Sequence, residues 1–190
     1  MMKKVPFQAV APILKHFELS DDVVETVDPA LSPEQLVAHL LKLEANIDLA
    51  NFWAHALPMR ESIWWACIGV SKRTEVLKPL EKQVLDASLA WVKSPTEPLR
   101  RQIEVLIEKL PNESASKWLG MAVFWSGSGS IAPIDNPIVM PSEFLYAKAV
   151  GGAVNTAAAL PEWDGYKMFY KDVFRSAMDL ANGGTGTVEG

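Results

Sequence analysis

Apolar residues return at helical intervals along most of this chain. Leu36, Leu40, Leu43 and Ile47 recur one turn apart, and Ala50, Trp53, Ala54 and Leu57 carry the stripe to Pro58. Ser32-Pro33-Glu34-Gln35 begins it as a capping box, with proline at the first helical position and glutamine placed to reach back to the cap. Asn46 marks a break within the segment. The next stretch, Arg60 to Val70 (RESIWWACIGV), is apolar almost all round. Trp64 and Trp65 point about 100° apart on a helix, so they share no narrow stripe. A helix of that kind is a central one, packed on several sides. It ends near Lys72-Arg73, where cations suit the negative end of the helix dipole.

Pro79 opens a further helix carrying Leu80, Val84, Ala87 and Trp91, which Ser94-Pro95 closes. Thr96 caps the following one, because Pro98 then falls at the second helical position, where its missing N–H is harmless. Leu99, Ile103, Leu106, Ile107 and Leu110 give that helix a broad apolar face. Ser114 to Trp125 reads as a short helix, Ser142 caps one running to about Leu160, and Glu162 to Asn182 forms the last. In this final helix Trp163, Tyr166, Tyr170, Val173, Ala177 and Leu180 mark the inward face. No alternating period-two run occurs, so strands are few. The expected fold is all-α, a single irregular globular bundle of about 7–9 helices. Residues 1–182 form it, with 1–30 as a peripheral N-terminal segment and 183–190 as a disordered tail.

Two stretches depart from the pattern. Residues 126–141, SGSGSIAPIDNPIVMP, form a long link without evident secondary structure. Such links are functional or disordered. Ile131, Ile134, Ile138, Val139 and Met140 make this one too apolar for a tether, and predict side chains inserted between helices. In AKAVGGAVNTAAA, Ala147 to Ala159, small residues cover most of a helix. Gly151-Gly152 costs about 1 kcal/mol per glycine relative to alanine, which predicts a close approach by another backbone.

Nearly half of the 190 residues are apolar, enough to bury a core without staples, and the net charge is −5 with no basic tract. That argues against nucleic acid. Lys72-Arg73 and Arg100-Arg101 read as solvated helix surface. A single cysteine needs no oxidising compartment, and the longest apolar run, Trp118 to Trp125, is too short for a bilayer. The apolar part of the N-terminus is broken by Pro6, Gln8 and Pro12, unlike a signal peptide. A cytoplasmic protein without a membrane span is expected.

Catalytic templates find little to hold. SGSGS lacks the lysine of a phosphate loop, and no strand-borne Gly-x-Ser-x-Gly exists. Cys67 sits inside the tryptophan-rich helix, where a thiol is buried and inert. Glu44, Asp48 and His55 would share one side of a continuous helix, a weak metal signal without the paired Glu-x-x-His of bundle carboxylate sites. Arg60 and Glu61 start the central helix; Glu61 suits the dipole there, and Arg60 can lie across Trp64 as a cation–π pair. No catalytic residue, metal or cofactor is assigned.

HALPMRESIWWACIG, AWVKSPTEPLRR, WLGMAVFWSGSGSIAP and AKAVGGAVNTAA, taken in order, resemble an uncharacterised bacterial family of helical domains with a Leu-Pro-x-Arg-Glu-x-x-Trp-Trp-Ala-Cys core. The likeness covers roughly residues 30 to 182. It implies no known reaction, and genes that often lie near type VI secretion components. On it Arg60, Glu61, Trp64, Trp65, Ala66 and Cys67 map to the first block, Trp125, Ser126 and Gly127 to the second, and Lys148, Gly151 and Gly152 to the third. The second block reads SGSGS where the family has SGGS, which alters the turn.

The expected function is a non-enzymatic protein-interaction module, an adaptor or chaperone-like accessory that holds a secretion effector or secretion-system component. Its binding candidates are Arg60, Glu61, Trp125, Ser126, Gly127, Ile134, Ile138 and Lys148. Trp64, Trp65, Cys67, Trp91, Gly151 and Gly152 are its structural core. The alternative is a small-molecule- or metal-dependent enzyme with a pocket between the central helix and the 126–141 link, using Arg60, Glu61 and His55. An immunity protein would need an acidic patch, for which Glu18, Asp21, Asp22, Glu25 and Asp28 are the dense candidate.

Overall fold

Ten helices and no strand occur among residues 2–187, the part of the chain that the computed structural model describes. The all-α expectation holds. The count exceeds 7–9 because the N-terminal segment adds two single turns, α1 (Ala11–Leu14) and α2 (Asp21–Val24). Then come α3 (Pro33–Lys42), α4 (Asn46–Ala56), α5 (Met59–Ser71), α6 (Pro79–Lys93) and α7 (Glu97–Ile107). α8 (Ala115–Phe124), α9 (Leu145–Ala158) and α10 (Tyr166–Ala181) complete the bundle.

Local chemistry sets most starts. Ser32 Oγ accepts from Gln35 N at 3.3 Å and Gln35 Oε1 accepts from Ser32 N at 2.8 Å, closing the capping box of α3. Glu44, with φ 53, reverses the chain before Asn46 begins α4. Thr96 occupies the cap of α7, although its side chain makes no capping bond. Two starts differ from the sequence expectation. α9 begins at Leu145 rather than after Ser142, because Phe144 is left-handed (φ 60). α10 begins at Tyr166, because Glu162, Trp163 and Gly165 all have positive φ and cannot continue a right-handed helix. Trp163 is therefore exposed rather than part of the inward face.

α5 is the hub. Ile63, Trp65, Ala66, Cys67 and Val70 are inaccessible to solvent, and α5 packs against α6, α8, α9 and α10. The Trp65 indole N–H donates to the Val173 carbonyl at 2.7 Å, which satisfies the one polar atom of a buried ring. Trp91 is equally buried, and burial pushes the Cys67 thiol upward, out of reach of nucleophilic use. Trp64 is not core. It lies half-buried at the rim, and its indole N–H donates to the Thr185 carbonyl at 2.8 Å. The chain accordingly stays folded past Gly183: Gly184 N donates to Asp179 O and Gly186 N to the Asp179 carboxylate. Residues 183–187 are thus not the expected disordered tail, and 188–190 lie outside the described residues.

The small-residue helix α9 lies among α4, α5 and α8. Its paired glycines meet side chains first, and the α4 backbone also comes close to one of them, with Asn51 Cα 3.8 Å from a Cβ placed on Gly151. A Cβ on Gly151 would collide with Asn51 Oδ1, and one on Gly152 would lie 2.9 Å from Trp118 Cδ2. The glycines thus seat an amide and an indole against the α9 axis.

Gly120 of α8 lets side chains of α6 and α7 pack directly on its helix. An added Cβ there would overlap Ile107 Cγ2 and come within 3.0 Å of both Ile103 Cγ2 and Val84 Cγ1. Gly120→Ala is expected to lower unfolding free energy by about 1–3 kcal/mol despite its better helix propensity. Urea denaturation of the two proteins checks this; an unchanged midpoint would show that α6, α7 and α8 can move apart freely.

Candidate functional site

The feature most unlike ordinary bundle surface is the link 126–141, and its order traces to two arginines. Arg100 and Arg101 on α7 read as solvated surface in the sequence, yet Arg100 is 0 % exposed. Its Nη1 donates to the Phe124 carbonyl at the end of α8, at 2.7 Å, and its Nη2 to the Ser130 carbonyl at 2.7 Å. Glu97 holds the guanidinium from the other side with contacts of 2.6 Å to Nε and Nη2. Those hydrogen bonds hold the Glu97 carboxyl below its ordinary range. Arg101 adds bonds to Ser130 O at 2.8 Å and Ala132 O at 2.9 Å, and both guanidinium groups lie over the Phe124 ring.

Ser130 ties the loop together. Its carbonyl takes both arginines, while its hydroxyl accepts from Ala132 N at 3.1 Å and Val139 N at 3.0 Å. Ile131 N donates to Val139 O at 2.8 Å and closes the neck. The SGSGS spacing follows from this. Gly127 turns with φ +82, and a Cβ on Gly129 would sit 2.7 Å from both Arg100 Nη2 and Glu97 Oε2. Trp125 and Ser126 form the entry, Ser126 buried with its hydroxyl 2.9 Å from that of Ser128. The apolar residues beyond the neck are not inserted between helices, as the sequence suggested. Ile134 and Ile138 are 80 % and 81 % exposed, and Val139 and Met140 are about half exposed.

The other binding candidates fall in different places. Arg60 does not stack on Trp64. Its Nε donates to Val92 O at 2.6 Å and its Nη2 to Lys93 O at 2.9 Å, closing the C-terminus of α6. Glu61 is paired with Lys4 at 2.6 Å. These residues border a depression of about 430 Å³ with Trp64 and Thr185, to which the 126–141 loop contributes nothing. The expected pocket joining Arg60, Glu61, His55 and the link does not form. Nor do Glu44, Asp48 and His55 share a face. Glu44 stands in the α3–α4 turn, and Asp48 accepts from Ser20 N and Oγ at 2.8 and 2.9 Å.

His55 belongs to a polar cavity of about 520 Å³ with Lys148, Asn51, His16 and Phe17. It is 5 % exposed and stacks on Phe17 with centroids 4.8 Å apart. Its Nδ1 donates to the Asn51 carbonyl at 2.8 Å, and its Nε2 has no hydrogen-bond partner among the described residues. Burial, with lesser contributions from His16 and Lys148, brings its pKa down to about 4. Lys148 is thus a neighbour of this histidine rather than an edge of the link. Among the described residues, no group of three His, Cys, Asp or Glu side chains is placed to hold a metal ion. No helix there is long and apolar enough to cross a membrane.

Fold and site together define an all-helical bundle that presents one arginine-anchored apolar loop. Residues 36–181 match the model of a family of unknown function (DUF6931), and the chain belongs to that family. No curated protein and no solved structure matches it.

Sequence reasoning missed Glu97, Arg100, Arg101, Gly129 and Ser130 as the frame of the loop. Adjacent arginines one turn from a glutamate were the available signal, but partners about 30 residues downstream are invisible to local spacing.

The His55 environment sets a pH dependence. A folded-state pKa near 4 against an ordinary 6.5 means that the unfolded chain binds the proton first. Stability is therefore full above pH 6.5 and falls as pH drops toward 4. Between pH 7 and about 4.5 the loss from this group is roughly 2–3 kcal/mol. Urea unfolding of wild type and His55→Gln at the two pH values tests it. The variant should lose less stability than wild type over that interval; equal losses would contradict the assignment.

Proposed function

We propose that this chain is a non-enzymatic protein-binding module that presents the 126–141 loop to another protein. The observation that carries the reading is the 80 % and 81 % exposure of Ile134 and Ile138 on a loop whose neck is held by Arg100 and Arg101. Burying each isoleucine against a partner is worth about 1.5–3 kcal/mol. A loop already fixed by its own hydrogen bonds gives up little conformational freedom on binding, so more of that gain reaches the affinity. Arg60 and Glu61, the polar groups of the rival enzymatic reading, are each engaged in structural contacts, which leaves the loop as the better-supported site.

The resemblance noted in the sequence supplies a setting for the proposal. The module acts in the cytoplasm as an adaptor or chaperone-like accessory, and its partner is an effector or component of a type VI secretion system.

A photo-crosslinking residue at position 134 of the tagged chain, expressed in its own host, should capture one protein in stoichiometric yield. The purified protein should then bind wild type and lose at least about tenfold in affinity with Ile134→Ser/Ile138→Ser. Both side chains are solvent-exposed, so the thermal midpoint should not change. Undiminished binding by the double variant would refute the loop as the contact surface.

A further inference from the structure

A second unpartnered surface lies between α3 and α10. These two helices do not pack on each other; among the helices, α3 rests on α4 alone. A cavity of about 450 Å³ occupies the space between them, walled by Val37 and Leu41 of α3, by Glu44 and Asn46, and by α10. It follows α10 from Lys167 to Met178, about 16 Å at 1.5 Å per residue. Phe174, 6 % exposed, and Met178 form its floor, and Leu41, 49 % exposed, stands on the opposite wall.

The charge on this groove opposes that of the chain. The protein carries a net −5, yet Lys167, Lys171 and Arg175 stand in one row on α10, a turn apart, along the apolar floor. All three are exposed. Lys167 touches Glu44 at 3.5 Å, an exposed contact that contributes little. Lys171 and Arg175 have no carboxylate partner among the described residues. Two cations without a carboxylate partner, beside the half-exposed Leu41 and the partly exposed Met178, fit carboxylates flanking an apolar stripe. No free sheet edge exists here to take an extended peptide by backbone pairing, so side chains alone must recognise the occupant. A groove of this length and shape suits about three turns of helix.

We infer that the α3–α10 groove binds an acidic amphipathic helix of a partner protein. Its apolar row lies on Leu41, Phe174 and Met178, and its carboxylates face Lys171 and Arg175. This surface is distinct from the 126–141 loop, and either can fail alone.

The test uses two synthetic amphipathic helical peptides of about 16 residues with identical leucine stripes. One is flanked by glutamates, the other by lysines. Fluorescence anisotropy should show the glutamate peptide binding wild type at least about tenfold more tightly than the lysine peptide, with the difference shrinking as salt rises. In Lys171→Glu/Arg175→Glu the preference should reverse. Amide shifts on titration should concentrate on Leu41, Lys171, Phe174 and Met178, and Ile134→Ser/Ile138→Ser should bind the peptide as wild type does. Absence of binding, equal affinity for the two peptides, an unreversed preference, or shifts centred elsewhere would overturn the inference. Both substituted cations are exposed, so the charge-reversed protein should retain the wild-type fold.

Discussion

The structure depends on how the carboxyl ends of its helices are closed. The last turn of every helix leaves carbonyls without intrahelical donors, and in a bundle those ends are buried against neighbours. At α6, α8 and α9 arginines from other elements supply donors. Arg60 at the start of α5 closes α6, Arg73 just beyond α5 reaches Ala157 and Ala158 at the end of α9, and Arg100 on α7 closes α8. A guanidinium can serve two carbonyls at once and also interacts favourably with the negative end of the helix dipole. The buried Arg100 bond to the Phe124 carbonyl contributes about 1.5–3 kcal/mol, and removing that donor leaves a buried carbonyl unpaired. These contacts also fix which helix end meets which neighbour.

Arg100 couples that architecture to the surface. The same guanidinium that closes α8 holds the Ser130 carbonyl, so the end of a core helix and the neck of the exposed loop share one group. Glu97 balances its charge, and the Phe124 ring covers its face. A residue placed only to solubilise α7 would not be fully buried. The loop inherits the rigidity of the core, and its isoleucines remain in solvent because the neck, not the apex, makes the anchoring contacts.

Much of the scaffold could be read from local sequence. The capping box at Ser32, the break at Asn46, the proline starts at Pro79 and Pro98 and the buried stripe through Trp65 and Cys67 are effects of neighbours within a turn or two. The departures have nonlocal causes. Phe144, Glu162 and Trp163 adopt positive φ although none is a glycine or asparagine, so propensity gave no warning that α9 and α10 start late. Trp64 differs from Trp65 because the chain after Gly183 folds back and gives it the Thr185 carbonyl at the rim. Arg60 faced the wrong end of its own helix dipole, and that mismatch was the one sequence clue that it serves another helix. The candidate site was half legible: its apolar content singled out 126–141 as a candidate, but the direction of Ile134 and Ile138 depended on Arg100, about 30 residues away.

The coupling of core helix end to loop neck is measured most directly by amide hydrogen exchange on Arg100→Gln beside wild type. If one guanidinium sustains both, the Ile131 and Val139 amides, which donate to Val139 O and Ser130 Oγ, should lose protection together with the last turn of α8. Amides in α3 and α4 should be unaffected. Full protection of Ile131 and Val139 in the variant, or a loss spread evenly over every helix, would contradict this account.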